Sequence, residues 1–211
     1  FSWKKLENYL IENENDANAK REKGEPWSKD FGKDIITSML RDKQRLFAYE
    51  FEGYWKDVGT LDSLWEANMD LLSPSVPLDL YDKSWRIYSR SNYMPPQYLG
   101  DNAQVENSMI AEGSVVDGSL DFSILFAGVT VEEGATVKYS IVMPGTVIKS
   151  GAVVEYAIVG SDCVIESGAH IGKSPEQVPD RDKWGIAVVG HNVTVSSGKS
   201  VEPQDIVGEN I

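Results

Sequence analysis

Between Ser123 and Ile171 the chain repeats itself every seventeen residues. Leu125 aligns with Val142 and Val159, Val131 with Ile148 and Ile165, and Val137 with Val154 and Ile171. Gly134, Gly151 and Gly168 share a column, as do Ala135, Ala152 and Ala169, and Ser123, Ser140 and Ala157. Within a row the aliphatic residues step by six, six and five, typically with Ser, Thr, Ala or Cys two places earlier, as in Cys163-Val164-Ile165. Three near-hexapeptide steps per turn dictate short strands on three flat faces, with one aliphatic side chain pointing inward from each. Such rows cannot bury their apolar side alone and must stack on neighbours, about 4.8 Å apart. Each inward Val or Ile then contributes about 1.5–3 kcal/mol, and the small residue lets the chain turn its corner without crowding the core. A β-sandwich also spaces strands regularly, but does not require matching residue types at a fixed period. The repeat therefore predicts a left-handed parallel β-helix of about four coils, beginning raggedly near Asn107 and losing register beyond Gly172. A last pass through Val193, Val195 and Val201 would cap its open end.

Upstream, Trp3, Leu6 and Leu10 have helical spacing. The polar stretch Asn13–Ser28 reads as an exposed excursion, and Ile35, Ile36, Met39 and Leu40 mark a short amphipathic helix. Alternation of Phe47, Tyr49 and Phe51 with Leu46, Ala48 and Glu50 predicts a half-buried strand. That strand would lead through Gly53–Gly59 to Thr60, a good N-cap for a helix carrying Leu61, Leu64, Trp65, Met69 and Leu72 on one face. Prolines at 74, 77, 95 and 96 mark a linker, interrupted by the extended segment Trp85–Tyr88.

With 211 residues the chain has room for one large domain or two modest ones. A formal charge of −13 disfavours nucleic acid and anionic membrane surfaces as partners. One cysteine, Cys163, excludes a disulfide framework and fits a reducing, cytoplasmic setting; its column gives it a packing role. There is no apolar run of membrane-spanning length and nothing like a signal peptide. A first residue of Phe rather than Met suggests a piece of a longer chain.

Asp57 is the strongest candidate for chemistry. A carboxylate on a strand-to-helix connection sits where α/β proteins gather their sites, and it can hold Mg²⁺ shared with phosphate. It can equally be a capping or solvated loop carboxylate; Trp55 reads first as core and Lys56 as a solvated neighbour. Gly198-Lys199-Ser200 imitates the end of a P-loop, but the motif needs another glycine where Val193 stands. His170 and His191 raise the possibility of a hexapeptide acyltransferase, which needs a general base beside a cleft. His170 lies within a repeat row as a face residue and His191 in the tail.

The motifs Asp30-Phe31-Gly32-Lys33-Asp34-Ile35-Ile36, Tyr54-Trp55-Lys56-Asp57-Val58-Gly59-Thr60 and Trp65-Glu66-Ala67-Asn68-Met69-Asp70-Leu71 resemble the bacterial glucose-1-phosphate adenylyltransferase (ADP-glucose pyrophosphorylase) family. Trp85-Arg86-Ile87, Pro95-Pro96-Gln97 and the repeats extend the resemblance over essentially the whole chain. It implies the C-terminal end of a Rossmann-like nucleotidyltransferase domain over 1–72, a linker over 73–103, and a left-handed β-helix with its capping tail over 104–211. The implied reaction joins ATP and glucose 1-phosphate into ADP-glucose and pyrophosphate for glycogen synthesis, in a homotetramer or a hetero-oligomer with a paralogue. By position Asp57 matches the Mg²⁺-binding catalytic aspartate, and Asp30, Phe31 and Trp55 match residues lining the glucose-1-phosphate pocket. The family's Gly-rich nucleotide loop, second metal aspartate and sugar-phosphate lysine have no counterpart here, so these residues alone are expected to be inactive. Two other readings stand beside this one, a non-catalytic subunit of the same family and a β-helix acyltransferase.

Overall fold

The computed structural model describes residues 1–75, 78–88 and 93–211, in two compact units, Phe1–Glu52 and Gly53–Ile211. Pro77, one of the prolines marking the predicted linker, lies outside the described residues.

In the first unit, helix α1 spans Trp3–Glu22 and so takes in much of the stretch expected to be an excursion. Its polar residues support the helix: Asn18 Nδ2 donates to Glu14 at 3.2 Å, and Lys20 meets Asp16 at 2.7 Å, both i,i+4 contacts. Lys20 and Arg21 complement the negative end of the helix dipole, and the chain turns away at Gly24. A π-helical turn, Phe31–Ile36, runs directly into α2, Thr37–Arg41. Ile35 and Met39 are buried there, as is Ala17 of α1. The predicted strand over residues 45–51 does not form. Phe47 and Tyr49 are 83% and 89% exposed, and no described residue pairs with this segment. Alternation makes a strand only where a neighbour takes its backbone hydrogen bonds.

The second unit is built on three parallel sheets of six strands each. Every turn of the chain adds one strand to each sheet, so the register advances by whole coils: Val131, Ile148 and Ile165 align on the first face, Val137, Val154 and Ile171 on the second, Leu125, Val142 and Val159 on the third. All nine are essentially inaccessible. The solenoid has about six turns rather than four. It begins already at Tyr98–Leu99 and ends at Ile206–Val207.

Two irregularities hid the outer coils. Val116 and Leu120 are both inward but only four positions apart, because that corner is two residues short. The tightened corner passes so close to the next coil that a Cβ on Gly118 would lie 2.5 Å from the Ala135 carbonyl oxygen. At the other end, the segment between Ile171 and Ala187 is looped out in two 3₁₀ turns, Pro175–Gln177 and Arg181–Lys183. The strand Ala187–Val189 then resumes pairing with Ala157–Val159. The tail through Val193, Val195 and Val201 is a full coil, and Ile211 packs against the core.

One corner carries a ladder of aromatic rings that the aliphatic columns do not announce. Phe122, Tyr139 and Tyr156 all adopt φ between 43° and 47°. The Tyr139 and Tyr156 rings stack at 4.8 Å with 3° between their planes. A left-handed non-glycine residue costs roughly 1–2 kcal/mol, and an aromatic pair returns about 0.5–1.5 kcal/mol beyond its burial, so stacking offsets much of the strain. Trp184, from the looped-out segment, closes the ladder edge-on to Tyr156 at 5.5 Å.

Candidate functional site

Helix α3, Leu61–Asp70, positions the segment that holds Asp57. Its start is fixed by a capping box in which Ser63 N–H donates to Thr60 Oγ1 at 3.2 Å and Thr60 N–H to Ser63 Oγ at 3.0 Å. Thr60, not Asp57, therefore caps the helix. On its apolar side Met69, with Leu64, Trp65 and Leu72, packs on Ile124, Ile141 and Ile158 of the third solenoid face. Trp65 Nε1–H donates to the Tyr139 carbonyl at 2.7 Å. The helix is thus held to the aromatic corner by both packing and a directed hydrogen bond.

The preceding segment, Gly53–Gly59, forms no regular element, and its side chains divide by parity. Tyr54 and Lys56 turn to α3: the Tyr54 hydroxyl donates to Asp70 Oδ2 at 3.0 Å, and Lys56 Nζ lies 3.0 Å from Glu66 Oε2 and 3.3 Å from Asp70 Oδ2. Lys56 is therefore not the solvated neighbour expected; Glu66 foremost, then Asp70, holds its ammonium above the usual lysine range. Trp55 and Asp57 project outward. Trp55 is 74% exposed, not core, and Asp57 makes no hydrogen bond or ion pair among the described residues.

Asp30 and Phe31 belong to the first unit. Asp30 Oδ1 accepts the Lys33 N–H at 2.7 Å, and the Asp30 N–H donates to Asp34 Oδ2 at 2.7 Å, a reciprocal box opening the π-helical turn. A hydrogen bond from Ser28, and then that N–H, hold the Asp34 carboxyl below the ordinary range. Phe31 meets Phe1 edge-on at 5.4 Å.

The donor set near Asp57 fits a particular kind of metal binding. No group of three His, Cys, Asp or Glu that could hold a metal ion occurs among the described residues. A free, exposed carboxylate suits a Mg²⁺ ion that keeps waters and shares itself with phosphate oxygens, and does not suit an all-protein cage.

A groove of about 420 Å³ lies between α3 and the last coils, lined by Trp65, Trp184, Asp62, Glu66, Ile186 and Gln204 among others. Its acidic rim and apolar floor suit neither a sugar phosphate nor a triphosphate, and neither Trp55 nor Asp57 lines it. Lys199 and Ser200 lead into a strand paired with His170–Ile171, so no helix N-terminus follows Gly198 as a P-loop requires. His170 is exposed on the second face. His191 Nδ1 accepts the Ser161 N–H at 3.0 Å, which leaves that nitrogen unable to serve as a base.

Residues 8–74 match the family described as nucleotidyl transferase, and residues 96–196 match the family of GlmU-like C-terminal hexapeptide repeats, in keeping with left-handed winding of the solenoid. Glucose-1-phosphate adenylyltransferase of Geobacillus stearothermophilus is 52% identical over 139 residues, 65% of this chain and 34% of that protein. Those of Clostridium beijerinckii and Bacillus cereus are 49% and 52% identical over similar lengths, again 65% of this chain and 34% of theirs. Over that stretch the chain is similar to the glucose-1-phosphate adenylyltransferases. It spans about a third of the length of the relatives it matches.

The resemblance read from the three motifs is thereby met by relatives bearing that name. Sequence reasoning missed Lys56, Glu66 and Asp70 as a unit. The parity of Tyr54 and Lys56 against Trp55 and Asp57 was visible, but nothing in it said which pair would face a helix. No helix among the described residues is long and apolar enough to cross a membrane.

Proposed function

We propose that this chain is the C-terminal part of a glucose-1-phosphate adenylyltransferase, in which Asp57 and Trp55 face the reacting substrates while the solenoid serves assembly. The observation that carries this reading is the outward pair Trp55 and Asp57, free of partners in a chain whose relatives bear that enzyme's name. The reaction is attack of a glucose 1-phosphate oxygen on the α-phosphate of ATP, releasing pyrophosphate. Mg²⁺ would supply offset of the charge that develops on the phosphate oxygens, and Asp57 is the residue here that would hold it. Trp55 presents an apolar ring face suited to the C–H face of a sugar. Asp30 would accept hydrogen bonds from sugar hydroxyls through Oδ2 and through the lone pair that the Lys33 N–H leaves free on Oδ1, and Phe31 would offer the sugar a second aromatic surface.

A single carboxylate leaves the metal short of protein ligands, and the sequence carries no Gly-rich motif of the kind that cradles a triphosphate at a helix N-terminus. The domain limits 1–72, 73–103 and 104–211, a tetrameric or paralogue-containing assembly and a cytoplasmic setting belong to the same proposal. The test is pyrophosphate release by the complete enzyme from ATP with glucose 1-phosphate, beside the same assay with residues 1–211 alone. The reading predicts Mg²⁺-dependent turnover for the first and none for the second. Turnover with another nucleotide or sugar phosphate in preference, or activity of residues 1–211 by themselves, would contradict it.

A further inference from the structure

From Gly53 to Gly59 no backbone N–H or carbonyl makes a hydrogen bond to a described residue. Among the described residues, the side-chain hydrogen bonds and ion pairs that tie this stretch to α3 come from Tyr54 and Lys56. Their partners Glu66 and Asp70 are four residues apart and so lie one above the other on one side of α3. Asp70 Oδ2 receives both the Tyr54 hydroxyl and the Lys56 ammonium, and Glu66 takes the ammonium from the next turn. The Lys56 side chain is 27% exposed, less than either carboxylate partner.

We propose that Lys56, with Tyr54, is a positioning residue. By bridging Glu66 and Asp70 it fixes the facing of the segment, so that Trp55 and Asp57 are presented together on the opposite side. This inference rests on the reading of Trp55 and Asp57 given above.

Two physical points support it. A lysine beside a proposed phosphoryl-transfer site would ordinarily be assigned to a phosphate, but this one is already committed to two carboxylates. As a stability device the arrangement is also weak, because exposed ion pairs are worth about 0–1 kcal/mol. Its consequence is geometric: burial alternates along residues 54–57, with Tyr54 and Lys56 half-buried and Trp55 and Asp57 exposed, so holding residues 54 and 56 sets the direction of 55 and 57. The helix end of the tether is itself fixed, through Trp65 and the Tyr139 carbonyl.

The test uses the complete enzyme and compares Lys56→Met, Lys56→Arg and Asp70→Asn with Trp55→Ala and Asp57→Asn. Lys56→Met and Asp70→Asn are both expected to raise the KM for glucose 1-phosphate and the Mg²⁺ concentration for half-activation by about tenfold, the scale of a small misplacement of a reacting group. Lys56→Arg should recover most of that loss, because a guanidinium also reaches two carboxylates. A spectroscopic readout separates positioning from activity. With 5-fluorotryptophan incorporated, the Trp55 fluorine resonance, assigned from Trp55→Phe, should shift or broaden in Lys56→Met and return in Lys56→Arg.

If Lys56→Met damages KM while Asp70→Asn is silent, Lys56 touches phosphate directly and the positioning role is overturned. An unmoved Trp55 resonance and unmoved KM in Lys56→Met, with Asp57→Asn still crippling, overturn it as well. Should Trp55→Ala and Asp57→Asn themselves be without effect, the reading of the site fails, and the tether has nothing to position.

Discussion

Ser140 shows how a polar side chain can sit inside a solenoid. It is fully buried, yet its Oγ donates to the Lys138 carbonyl at 2.7 Å and accepts the Ala157 N–H from the next coil at 3.1 Å. Ser123 does the same one coil below, taking the Ser140 N–H at 3.1 Å, so a run of hydroxyls satisfies the corner amides. Ser140→Ala leaves the Ala157 N–H buried without its partner, and a loss of about 1–3 kcal/mol in the free energy of denaturant unfolding is expected; an unchanged midpoint would mean the corner is wet. Tyr156 makes a second residue-scale case. Burial is the main cause pushing its hydroxyl up to about 12 from an ordinary 10.0. A pKa higher in the folded than in the unfolded chain gives stability that is complete below pH 10 and is lost as pH rises toward 12. The melting temperature should therefore fall less steeply between pH 10 and 12 in Tyr156→Phe than in the native chain; parallel curves would show that Tyr156 does not contribute.

Among the elements, the inward columns were legible because a buried face imposes a strict period. Leu125, Val142 and Val159 could be aligned by eye, and all three are inside. The aromatic corner was written in the same period, Phe122, Tyr139 and Tyr156 standing just ahead of Ser123, Ser140 and Ala157. Its conformation is not legible there, because aromatics at positive φ belong to no propensity scale. The coil count failed for a different reason: a corner shortened at Gly118 and a segment looped out before Ala187 break the arithmetic without breaking the stacking. Residues 45–51 alternate as a strand should, but pairing is a property of the neighbour and cannot be seen in the segment itself. Lys56 was opaque for the same reason, its partner Asp70 being fourteen residues away. Ile148, wholly inaccessible between Val131 and Ile165, gives the element-scale prediction. Ile148→Asp places an unpaired carboxyl in the stack, and a loss of about 4 kcal/mol or more is expected, read as a collapse of the melting temperature. Native melting behaviour would mean that the assigned register is wrong.

At the scale of the second unit, α3 joins the segment bearing the proposed site residues to the solenoid. One side of the helix lies on Ile124, Ile141 and Ile158, and its Glu66 and Asp70 hold the segment bearing Trp55 and Asp57. A loop proposed to face substrate can thus lack backbone hydrogen bonds and still be held on a packed support, which is how scaffolds commonly present functional loops. Asp57 is the residue proposed to meet the metal and phosphates. Asp62, five residues on, is also exposed but lies in the first turn of α3, where a carboxylate complements the helix dipole. The most direct measurement is therefore Mg²⁺-dependent pyrophosphate release by the complete enzyme carrying Asp57→Asn or Asp62→Asn. A loss of roughly a hundredfold or more is predicted for Asp57→Asn, with unchanged melting temperature and near-native turnover in Asp62→Asn. Equal rates in the two variants, or a near-native Mg²⁺ response in Asp57→Asn, would show that Asp57 does not hold the metal.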